Sequence, residues 1–135
     1  MIDPYADLTI TQLRAPSLIA STYTSTAIDT TGSKARDLLI VISAGTVTDG
    51  THTWEIQECD TSDGEYTAVA DAHLSGTEPA VITTNDERRF IIAYRGFKRY
   101  IKVVNTVTGS PSTGGVFGVL LVWARLQAVP VTHAT

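Results

Sequence analysis

Short runs of β-branched and aromatic residues, each closed by turn chemistry, follow one another along this chain, and no stretch carries the 3.6-residue apolar period of an amphipathic helix. A chain patterned this way buries its side chains by pairing strands, so an all-β fold is expected. The runs span 18–28, 37–47 (DLLIVISAGTV), 52–59 (HTWEIQEC), 65–70 (EYTAVA), 80–84, 88–95, 99–107 and 116–127. Asp49-Gly50 closes the second, and Ser62-Asp63-Gly64 makes the third and fourth a hairpin. About eight strands at this spacing predict a single-domain antiparallel β-sandwich, and eight is the jelly-roll number.

Two of the runs are apolar on both faces, whereas a sandwich strand with one face in water should alternate. In the last run Val116, Leu120, Val122 and Leu126 oppose Phe117, Val119, Leu121 and Trp123; in the second, Leu38, Ile40 and Ile42 oppose Leu39 and Val41. A small sandwich has no further layer of its own, so the outer set is expected to meet a neighbouring subunit or a tucked terminal arm. Residues 1–16, bracketed near their ends by Pro4 and Pro16, read as an N-terminal arm: disordered, an edge strand, or a strap on a partner, the strap being favoured. The sandwich is then 17–130 and the C-terminal tail 131–135.

At 135 residues, with 43% hydrophobic and 18% charged residues, the chain can bury one real core without staples. The lone Cys59 forms no intrachain disulfide, and no zinc spacing is present. No secretory signal and no membrane-length apolar run is found, so a soluble protein is expected.

Charge is distributed unevenly. Between Asp37 and Glu87 there are eleven acidic residues and no Lys or Arg, and then 88–102, RRFIIAYRGFKRYIK, holds six of the ten basic residues of a chain with net charge -4. A nucleic-acid surface, a solvated hairpin rim and a contact for an acidic partner all compete for that segment. Strand period sets Phe90, Ile92 and Tyr94 on one face and Arg89, Ile91, Ala93 and Arg95 on the other, so aromatics and charges do not share a stacking platform. With a pI near 5.2 as well, no nucleic-acid partner is expected. The segment is predicted to be two strands joined by an Arg95-Gly96-Phe97-Lys98 turn whose charge faces solvent or a protein.

Motifs for chemistry are sparse. DTSDGEY clusters Asp60, Asp63 and Glu65 but lacks the calcium-loop order, and His52, Cys59 and His73 match no zinc motif. No GxSxG elbow occurs, and GSPSTGG has neither a following helix nor a Walker lysine. The carboxylate pairs Glu55 with Asp60 and Glu58 with Glu65 read as solvated hairpin residues. Trp54 could stack a sugar, but its alternation with Ile56 turns it inward. The expectation is a protein that is not an enzyme and uses no cofactor or metal.

Three stretches, DLLIVISAGTVTDGTHTWEIQECDTSDGEYTAV, AYRGFKRYIKVV and GVFGVLLVWARLQAVP, resemble the small jelly-roll decoration, or cementing, proteins of tailed bacteriophage capsids. The resemblance covers roughly 18–130 and is one of strand and turn pattern. It implies a virion protein on the outer capsid surface, made in the bacterial host cytoplasm, with the major capsid protein as partner and a homo-oligomer, dimer or trimer, as the working form. It carries no catalytic residues. The interface residues expected are Arg95, Phe97, Lys98, Arg99, Phe117 and Trp123. A carbohydrate-binding β-sandwich, or another phage structural protein at the tail or head-tail joint, is the alternative.

Overall fold

The computed structural model describes residues 8–30 and 37–124. Among them the chain forms eleven strands: β1 (Leu8–Ile19), β2 (Tyr23–Thr24), β3 (Ile28–Asp29), β4 (Asp37–Val47), β5 (Thr51–Cys59), β6 (Thr67–Ala68), β7 (Leu74–Ser75), β8 (Ala80–Val81), β9 (Arg89–Tyr94), β10 (Tyr100–Thr108) and β11 (Gly115–Ala124). One sheet has the order β1-β11-β4-β9-β7. The second has the order β2-β10-β5-β6, with β3 also on β10 and β8 also on β5. All pairings are antiparallel. The two sheets pack face to face as the expected β-sandwich.

The core lies between them. Leu38, Ile40 and Ile42 of β4, Ile92 and Tyr94 of β9, and Phe117, Val119, Leu121 and Trp123 of β11 meet Trp54 and Ile56 of β5 and Ile101 and Val103 of β10. Alternation along each strand produces these sets, and each large side chain taken from water contributes about 1.5–3 kcal/mol. Phe117, fully buried, sets its ring edge-on to Trp54 at 5.4 Å and lies 4.8 Å from His52.

Three expectations about local structure change. The described part of the 1–16 arm, from Leu8 onward, takes the edge-strand form rather than the favoured strap: it is the start of β1, at the edge of the first sheet and paired with β11 from Leu8↔Ala124 to Ile19↔Gly115. The single run expected at 18–28 is instead the end of β1 followed by β2 and β3, with Ser25 between them filling the ladder on β10; its N–H donates to the Val103 carbonyl and its hydroxyl accepts from Val103 N–H. Residues 1–7 and 125–135, including the expected tail and the end of the 116–127 run, lie outside the described residues.

The third change concerns turns. Asp49-Gly50 and residues 95–99 are corners that carry the chain from one sheet to the other, because β4 and β9 belong to the first sheet and β5 and β10 to the second. The 52–59/65–70 pair is the hairpin expected, seen as β5 and β6. At the first corner the Asp49 carboxylate accepts hydrogen bonds from the backbone N–H groups of Ser112, Thr113 and Gly114 and from the Ser112 hydroxyl, clamping the loop before β11. Gly114 lies at φ +86, and a Cβ there would collide with the Ile19 carbonyl oxygen.

These contacts give the fold a defined acid response. The Gly114 and Ser112 N–H groups hold the Asp49 carboxyl below its usual range, while burial pushes the His52 imidazole down. His52 is fully buried, its Nε2 facing the Asp49 carbonyl at 3.3 Å and its Nδ1 facing Asn105 Nδ2 at 3.4 Å. Both folded pKa values are depressed, so both contributions are complete above the unfolded values and lost as pH falls through the folded ones. We expect Tm to decline in two stages, first below about 6.5 and then below about 3.9. His52→Gln should flatten the first stage and Asp49→Asn the second, read by thermal melts across pH.

Candidate protein-docking interface

The first sheet has a second apolar face, turned away from the core. Register sets its side chains in rows across four strands. Ile10, Val122, Leu39 and Ala93 form one row, and Gln12, Leu120, Val41 and Ile91 the next. Beyond them Gly118 carries no side chain, and the Pro16 ring of β1 lies against it, with Cγ 3.1 Å from where a Cβ would stand. Leu18 and Val116 pair in the row after that. Ile10 is 63% exposed, Leu18 59% and Ile91 50%. Leu39, Val41, Leu120 and Val122 are half-buried by one another.

No charged residue falls in these first two rows; Asp37 in the row with Ala124 and Arg89 in the row with Ser43 flank them at either end. Four strands at about 4.8 Å and six residues at about 3.4 Å make a patch on the order of 400 Å² in plan. That is within the range of the largest apolar patch on an ordinary monomer, about 300–600 Å², a patch that is often functional.

The basic loop is different in kind. Lys98 Nζ pairs with Asp60 at 2.9 Å, and Arg99 grips Asp29 with two bonds of 3.1 and 3.0 Å. Arg95 Nη1 lies 3.3 Å from the Ser75 hydroxyl, and Lys102 sits 4.3 Å over the Tyr66 ring. Beneath the loop Tyr94 donates to Glu58 at 2.8 Å and accepts from Lys98 N–H at 3.1 Å; burial and that carboxylate push its hydroxyl pKa up, which keeps the proton for the bond. Of the six basic residues of the segment, Lys98 is thus paired with Asp60 of the Lys- and Arg-free stretch and Arg99 with Asp29, both within one subunit. Phe97, 89% exposed and edge-on to His73 at 5.5 Å, is the apolar tip that remains.

Of the residues expected at an interface, Arg95, Phe97, Lys98 and Arg99 come together on this corner. Phe117 and Trp123 do not belong with them: at 0% and 3% exposure they are core. The outward side of β11 is the opposite set, Val116, Leu120 and Val122. Sequence reasoning reached the two-sided apolar runs but missed Ile10, Leu18 and Ile91, which complete the patch from β1 and β9. Trp54 faces inward as expected, 1% exposed.

Among the described residues no group of three or more His, Cys, Asp or Glu is arranged to hold a metal ion. No protein-family model matches the chain, and no curated protein is similar enough to match it.

Proposed function

We propose that this is a non-enzymatic structural protein of a tailed-phage virion that binds the outside of the major capsid lattice and cements it. The observation that carries the reading is the uncharged apolar face of the first sheet, which a partner protein must cover for its burial to be realised. The resemblance to decoration proteins supplies the partner. The jelly-roll winding, the homo-oligomeric working form and the virion location belong to the same proposal. Binding to the assembled lattice and not to its dissociated subunits stabilises the lattice by mass action, with weak contacts multiplied over many copies.

The sugar-binding reading loses its best platform because both tryptophans are buried. A nucleic-acid reading loses two of the cations at the tip of the basic segment, since Lys98 and Arg99 already face carboxylates. Purified protein added to shells that lack it should bind saturably and raise the temperature at which they come apart. Shells that neither bind it nor gain stability would contradict the proposal, and binding only to tails or to the head-tail joint would move the protein there.

A further inference from the structure

A sheet ends in strands that must be kept from pairing with strangers, and among the described residues most of the edges carry a device that does so. On the second sheet, β2 and β3 are two-residue pieces interrupted at Ser25. The other side of that sheet, β8 and β6, is interrupted where the Glu78 carboxylate accepts from Ile56 N–H in place of a strand. On the first sheet β7 is two residues long. The downstream half of β1 has register shifts on either side of Arg14, carries Pro16, and is tied by Arg14 bonding Ser17 Oγ at 2.7 Å and the Leu18 carbonyl at 3.2 Å.

Leu8–Gln12 has none of these. It runs in unbroken register with β11, from Leu8↔Ala124 to Gln12↔Leu120, contains no charge, proline or glycine, and alternates apolar or amide side chains with threonine. Thr9, Ile10, Thr11 and Gln12 are all exposed. A free strand edge of this composition binds another extended strand through backbone hydrogen bonds.

We infer that this edge pairs with the same edge of a second copy, antiparallel about a two-fold axis at Ile10, joining two five-stranded sheets into one. In that register Ile10 faces Ile10 of the other copy, Thr9 faces Thr11 and Leu8 faces Gln12. No like charges meet, and Thr–Thr pairs are favourable neighbours across antiparallel strands. The two apolar outer faces then become one continuous plane, so a dimer presents twice the docking area of a monomer. A five-residue strand pair buries less than the roughly 1,000 Å² of a stable interface, so the dimer is concentration-dependent in solution. The inference deepens the homo-oligomer of the proposed function, but its test contains no capsid, and either can fail alone.

Sedimentation of the full chain from about ten to several hundred micromolar should move from monomer to dimer. Thr9→Lys with Thr11→Lys sets lysines against lysines at the seam and should leave a folded monomer throughout. Thr9→Lys with Thr11→Glu sets opposite charges together only in this register, and the dimer should return. In a Cys59→Ser background, Ile10→Cys should give a covalent dimer with a short bis-maleimide. A wild type that stays monomeric, a double-lysine variant that still dimerises, a Lys/Glu variant that stays monomeric while folded, or an absent cross-link would each overturn the pairing.

Discussion

Phe117→Ala should destabilise the protein by about 3–5 kcal/mol, in a domain whose whole stability is about 5–15 kcal/mol. The ring is fully buried, reaches across from β11 to the second sheet, and touches both Trp54 and His52. Removing it opens a void at the centre of the sandwich, and the strands on either side are fixed in register by long antiparallel ladders that cannot close over it. Chemical denaturation should report a lower midpoint with an unchanged slope. A cost below about 1 kcal/mol is what a surface residue would show, and would mean that Phe117 faces a partner after all.

Ile91→Lys and Leu18→Lys should do the reverse, leaving stability nearly intact and removing docking. Both side chains stand at least half in water, so lysine is accommodated in the free protein, where surface changes stay within about 0.5 kcal/mol. In a covered face each ammonium would lose its water without gaining a partner, a penalty of at least 1–3 kcal/mol per site. Together they should weaken binding about a hundredfold or more. Lys98→Ala with Arg99→Ala should have a small effect, because those charges are exposed and already paired inside the subunit, and such pairs contribute little.

The contrast between these variants reflects what the sequence could and could not say. Strand period sorts Phe117, Val119, Leu121 and Trp123 from Val116, Leu120 and Val122, but when both sets are apolar it does not say which points inward. That is decided by the sheet lying opposite, where Trp54, Ile56, Ile101 and Val103 close on the first set. For β9 the polarity difference is larger, and Phe90, Ile92 and Tyr94 are legible as the inner set. The 95–99 loop reads as a hairpin turn because local sequence encodes a reversal and not the partner of each strand; a corner between sheets uses the same residues. The role of Asp49 was partly visible as a turn signal, but its clamp on 112–114 joins groups more than sixty residues apart in the chain. β1 was obscured by Pro16, which marks a bulge within the strand and not the end of an arm.

In the proposed function the outer face of the first sheet, and not the basic corner, carries the protein onto its partner. Binding of the wild type, of Ile91→Lys/Leu18→Lys and of Lys98→Ala/Arg99→Ala to one preparation of capsid shells, at equal concentration with folding checked by thermal melts, measures it directly. The face variant should lose binding while the corner variant keeps it. Retained binding by a folded face variant, with loss in the corner variant, would contradict the proposal.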